Sequence, residues 1–183
     1  MKKILIILVG LLFLNNIHAQ VLKFGFKGGV NFSNYSNGNI QGVDFKTITN
    51  FHAGIVTEIR IFENLALQPE LLYSTQGSEL NGFGEQIKNE LGYLSVPVLA
   101  KFYLTNNGLS LEAGPQFSVL VSERNEINTD DSSTFDFGVA AGLSYKITNK
   151  LFISGRYIAG LSEVKRDAEV KNSVIQLSLG VLF

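Results

Sequence analysis

Eight charged residues, Lys27, Glu58, Arg60, Glu70, Lys101, Glu112, Asp136 and Arg156, each have an apolar neighbour inside a hydrophobic stretch of the sequence. Their signs balance four against four, and Lys23 adds a fifth cation of the same kind. Charges placed among apolar residues do one of two things. They line a path for ions, or they neutralise one another in a static plug, because a buried charge without a partner is costly. The second reading is preferred: an interior charge network. Acid–base–nucleophile chemistry would need a histidine, and after the first 19 residues His52 is the one that remains. Ser122 and Asp136 are its nearest candidates in type, but they belong to segments across the fold from it, so no triad is expected. Glu126, Asn128, Asp130 and Asp131 offer oxygen ligands of the calcium type, yet EF-hand spacing is missing and a solvated loop is the simpler reading. No His-Glu-x-x-His or phosphate-binding glycine loop occurs, so neither catalytic residue nor cofactor nor metal is assigned.

The elements that must hold these charges alternate with period two. Leu22, Phe24, Phe26, Val30 and Phe32 alternate with Lys23, Gly25, Lys27, Gly29 and Asn31. The same pattern recurs over about 51–61, 67–76, 94–103, 111–121, 135–145, 151–161 and 175–183. Strict alternation describes strands with two unlike faces. Eight such segments, each about 10–12 residues long, match tilted membrane strands. Short turns at Glu63-Asn64, Thr105–Gly108 and Thr148–Lys150 alternate with polar connections at Asn34–Asn50, Gly77–Glu90, Glu123–Thr134 and Glu163–Asn172. The expectation is an all-β fold: an eight-stranded antiparallel up-and-down transmembrane β-barrel. With an even strand number, both termini lie on the side of the short turns, the periplasmic side.

A water-soluble barrel is apolar inside, and a membrane barrel is apolar outside. The polar face decides between them. It combines near-balanced charges with Gly25, Gly54, Gly114, Gly138 and Gly142, which suits a narrow lumen filled by side chains. The other face carries Leu, Ile, Val and Phe, with aromatics toward both strand ends as interfacial girdles.

Lys2 and Lys3, the apolar run Ile4–Leu14 and the small Ala19 read as a signal peptide over 1–19, with the barrel domain at 20–183. Without Lys2 and Lys3 the net charge falls to about −3, which gives no footprint for nucleic acid. The absence of cysteine excludes disulfides and thiolate metal sites. Pro69, Pro97 and Pro115 fall within strands, where proline lacks the N–H a ladder needs, and each is expected to mark a bulge or bend.

Several stretches resemble the Bacteroidetes outer-membrane β-barrel domain family, the PorT-like group. They are Gly25-Phe-Lys-Gly-Gly-Val-Asn-Phe-Ser33, Leu67-Gln-Pro-Glu-Leu-Leu-Tyr-Ser74, Tyr93-Leu-Ser-Val-Pro-Val-Leu-Ala-Lys101, Glu112-Ala-Gly-Pro-Gln-Phe-Ser118, Phe135-Asp-Phe-Gly-Val-Ala-Ala-Gly142 and Leu179-Gly-Val-Leu-Phe183. The resemblance implies that the prolines are a family habit. It implies that Phe183 is the assembly signal read by the barrel-assembly machinery during biogenesis. The expected function is a non-enzymatic structural or interaction component of the outer membrane, surrounded by its lipid, with the long loops as contact surface for an envelope protein partner. Narrow transport, gating or a link to protein secretion is the alternative.

Overall fold

In a computed structural model of the protein, the described residues are 22–36, 44–82, 85–105, 108–125, 134–162 and 171–183. The expected signal peptide and the acidic group Glu126, Asn128, Asp130 and Asp131 lie outside them. All eight elements are strands: β1 (Leu22–Ser36), β2 (Asp44–Phe62), β3 (Leu65–Gly82), β4 (Glu85–Tyr103), β5 (Leu109–Asn125), β6 (Phe135–Lys146), β7 (Leu151–Gly160) and β8 (Lys171–Leu182). Each pairs antiparallel with the next, and β8 returns to β1 to close the barrel.

Closure requires a stagger. Register partners followed round the barrel from Ser110 pass through Ser144, Ser154, Ser178, Gly29, His52, Ser74 and Tyr93. They return to β5 at Leu120, ten residues further along. On eight strands this stagger tilts each strand by about 40–45° and leaves a lumen only wide enough for side chains.

The faces are inverted relative to a soluble protein. Leu111, Leu143, Leu177, Leu179 and Ile175 point outward and are about half exposed, while Lys27, Glu70, Lys101, Glu112 and Arg156 point inward and are buried. Exposed aromatics gather at both ends of the wall: Phe24, Phe102, Tyr145 and Phe183 near the short turns, and Phe51, Tyr73, Phe135 and Tyr157 toward the other rim. Phe32, an aromatic of the same alternating face, is only partly exposed.

The lumen is not uniformly polar. Val56, Phe152 and Leu182 cluster on its turn side, and Leu99, Ala140, Ile158 and Val174 form a second cluster. Along β7 the inward residues run Phe152, Ser154, Arg156, Ile158 from the turn end, so an apolar layer lies on each side of Arg156. These apolar plugs break the strict alternation. Runs such as Leu151-Phe152-Ile153 and Val181-Leu182-Phe183 are its trace in the sequence.

Two expectations are corrected. The stretch Gly77–Glu90 is not a loop: its backbone continues the ladder from Gly77↔Glu90 to Gly82↔Glu85. The strands β2 to β5 are accordingly 17–19 residues long, and only β6 to β8, at 10–12, have the expected length. Alternation in hydropathy reports the contrast between lipid and lumen. Beyond the lipid both faces meet polar surroundings, and pairing goes on without it. The prolines do not shift register either. Shifts occur at Thr47/His52, Arg60/Phe62 and Gly92/Tyr93, away from all three. Pro69 pairs with Val98, Pro97 with Gln116 and Pro115 with Val139. Beside them the β3–β4 and β4–β5 ladders skip two residue pairs and resume unchanged, at Leu72↔Ser95 and Ala100↔Ala113. Missing N–H groups open a local gap in the ladder rather than a bulge.

Candidate functional site

The interior charges fall into two joined groups. At the centre Arg156 clamps Glu70 bidentately, Nη1 to Oε2 at 2.9 Å and Nη2 to Oε1 at 3.0 Å. Its Nε and Nη2 also reach Glu112 Oε1 at 2.9 and 2.8 Å. Lys27 donates to Glu70 Oε2 at 3.2 Å, and Gln68 donates to Glu70 Oε1 at 2.7 Å. Two cations thus face two carboxylates, all with side chains at most 1% exposed. Planar fork geometry explains why arginine holds the centre and lysine the edge.

Glycines make these contacts possible. Lys27 lies beside Gly54 on β2 and must pass over that strand to reach Glu70 on β3. Arg156 lies beside Gly142 on β6, which stands between it and Glu112 on β5. A Cβ on Gly142 would sit 2.6 Å from that of Arg156. Each pair therefore spans two strands across a gap left by a glycine.

The second group lies at the turn end. Glu58 Oε2 accepts from Tyr103 Oη at 2.6 Å, and Oε1 accepts from Lys146 Nζ at 3.0 Å. Lys101 and Arg60 approach the same carboxylate at 3.7 and 3.8 Å. Lys101 also donates to Gln68 Oε1 at 3.1 Å, which ties this group to the central one.

A family model described as an outer membrane protein beta-barrel domain matches residues 18–166. The chain belongs to that family, and the outer membrane is its location. Solved outer-membrane barrels share the fold. Neisserial surface protein A matches with a TM-score of 0.60 and 16% identity, over 87% of this chain and 97% of that one. OprG from Pseudomonas aeruginosa gives 0.57 and 12%, over 89% and 96%. Ail of Yersinia pestis, in complex with the heparin analogue sucrose octasulfate, gives 0.53 and 18%, over 89% and 99%. At these identities the likeness is one of fold. No curated protein matches the sequence.

In this outer-membrane barrel seven of the eight anticipated charges, Lys27, Glu58, Arg60, Glu70, Lys101, Glu112 and Arg156, join the two groups. Asp136 lies elsewhere: it is buried toward the other rim, where it accepts from Ser162 Oγ at 2.6 Å. Lys146 was missed, although it continues the inward parity of Gly142 and Ser144. Gln68, Gln176 and Tyr103 are uncharged members of the same web.

His52 stands near the start of the second expected segment, about 51–61, but β2 begins at Asp44, so the residue lies within the wall and not at its rim. It is buried, with Nδ1 2.9 Å from Asn31 Oδ1 and Nε2 2.9 Å from Ser178 Oγ. Asn31 Nδ2 donates to Ser74 Oγ and Thr75 O, which turns Oδ1 toward the ring. The proton is therefore on Nδ1, and Ser178 donates to Nε2. The polarity is that of a hydrolytic relay, but Ser178 is 8% exposed and His52 1%, inside a lumen packed with side chains. Ser122 lies on the exposed far part of β5 and Asp136 binds Ser162, so neither joins His52, in line with the expectation of no triad.

Proposed function

We propose that this barrel is a non-enzymatic, non-conducting scaffold of the outer membrane whose contact surface is the rim opposite the short turns. One observation carries the reading: Arg156, Glu70, Glu112 and Lys27 form a closed, charge-balanced bridge from β1 and β3 to β5 and β7, across the whole lumen. An apolar cluster on either side of it supports the same conclusion. With the lumen filled, function falls to the rim, where connections on a rigid frame commonly carry binding. The tall hairpins of β2 to β5 and the connections beyond them would meet an envelope protein partner.

This reading includes several finer assignments. The chain is a PorT-like member of its family, made with a signal peptide over 1–19. Both termini face the periplasm: Phe183 N donates to Phe24 O, and Leu182 N to Lys150 O, at the end that holds the short turns. Phe183, 65% exposed, is the residue that the barrel-assembly machinery would read.

Planar-bilayer recording with the refolded barrel tests the sealed lumen; steady single-channel currents from the wild type would refute it and turn attention to transport or gating. Crosslinking from intact outer membranes tests the contact surface. A stoichiometric partner joined through the rim is the expected result. Crosslinks confined to the turn end would sink that part of the proposal.

A further inference from the structure

The turn end of the lumen opens into a bowl of about 430 Å³ lined by Lys23, Arg60, Glu63, Tyr103, Lys146 and neighbouring turn residues. Its floor is the Tyr103 ring, with Arg60 Cζ 4.7 Å and Lys146 Nζ 4.6 Å from the ring centroid. Beneath lies Glu58, a single carboxylate shared by Lys101, Lys146 and Arg60. Its oxygens are taken: one by Tyr103, the other by Lys146. Arg60 comes no nearer than 3.8 Å to Glu58, lies over the Tyr103 ring and keeps 39% of its side chain exposed, so part of its guanidinium lines the bowl. Lys23 makes no ion pair among the described residues. Counting Lys101 below and Glu63 on the lining, four cations share two carboxylates. The central group, by contrast, is balanced.

We propose that this bowl is a phosphate-binding site, seated by Arg60 and Lys23 with Lys146 behind them. An excess of two positive charges calls for a dianion, and a phosphate group carries about −1.5 to −2 at neutral pH. An arginine fork and two ammonium groups in a concave mouth with a net positive charge are the donors such an anion takes. The occupant is either soluble phosphate or the phosphate of a lipid headgroup, since the turn end stands at a membrane interface.

Calorimetric titration of the refolded full barrel in a glycoside detergent with inorganic phosphate, at ionic strength held constant with chloride, tests the site. Saturable one-site binding is expected, weakened about tenfold by Arg60→Gln and several-fold by Lys23→Gln. Lys150→Gln, at the same end but outside the bowl, should bind as the wild type does. Far-UV circular dichroism checks the fold of each variant, and if Arg60→Gln does not fold, Lys23→Gln carries the test. No saturable binding, or an equal loss in Lys150→Gln, overturns the proposal. Repeating the titration in nanodiscs separates the sources. Phosphate binding lost with phosphatidic acid but kept with phosphatidylcholine assigns the bowl to a lipid headgroup, and binding kept in both assigns it to soluble phosphate.

Discussion

Replacing Arg156 with alanine is the sharpest test of the interior. The arginine makes four contacts of 2.8–3.0 Å, two with Glu70 and two with Glu112. It is 3% exposed and lies between apolar layers, so bulk water does not replace it readily. Without it, Lys27 alone faces two carboxylates, and one negative charge is left buried without a counter-charge. Removing one partner of a buried pair costs about 3–5 kcal/mol. The extra void left by the side chain acts in the same direction. Restoring neutrality should recover much of the loss: in Glu112→Gln with Arg156→Met, Lys27 and Glu70 remain as one pair. The double variant should lie at least about 2 kcal/mol closer to the wild type than Arg156→Ala does, since neutral, well-filled replacements of buried ion groups are often tolerated. Urea unfolding in phospholipid vesicles gives the free energies. The chain has no tryptophan, so circular dichroism or the gel shift between folded and unfolded barrel must serve as signal. An Arg156→Ala variant within about 0.5 kcal/mol of the wild type would mean that water already solvates these carboxylates. The lumen would then be wet, and the bridge would not seal it.

Other substitutions test other links. Leu177, 48% exposed on the lipid side, should cost about 2–4 kcal/mol when changed to arginine, measured in the same unfolding assay. A cost below about 0.5 kcal/mol would mean that this face does not meet hydrocarbon. Gly29→Ala would put a Cβ 1.9 Å from Leu177 O and 2.9 Å from His52 Cε1, so strands β1 and β8 must part. A loss of about 1–3 kcal/mol is expected, with slower insertion into vesicles. Tyr103→Phe removes the 2.6 Å bond to Glu58 and should destabilise by about 1.5–3 kcal/mol; an unchanged midpoint would show that the carboxylate is served by solvent instead.

The barrel itself was legible because lipid and lumen are opposite solvents, and residues such as Phe24, Gly25, Phe26 and Lys27 sort between them one by one. Glu70, Glu112 and Arg156 were legible as a network for the same reason. Partners were not. Which carboxylate Arg156 clamps depends on the ten-residue stagger and on the space above Gly142, and neither is local in sequence. Phe152, Ile158 and Leu182 were overlooked because an apolar residue in the lumen looks like a break in the pattern. The extension of β3 and β4 past Gly77 was invisible because polar strands outside the lipid leave no hydropathic rhythm. His52 was misplaced along with it: once β2 is known to start at Asp44, the residue falls well inside the wall.

The unequal strands give the molecule a slanted crown. β5 runs on from Val119, where β6 begins to pair, to Asn125, and β3 and β4 stay paired as far as Gly82 and Glu85. Six further residues on a tilted strand raise that side by about 15 Å. Among the described residues the wall is therefore tall over β2 to β5 and lower over β6, β7 and β8. The strand wall itself is thus a low threshold on one side and a high one on the other. A binder reaching the tall side need never touch lipid, and trimming the β3–β4 hairpin would shorten the crown without opening the barrel below it.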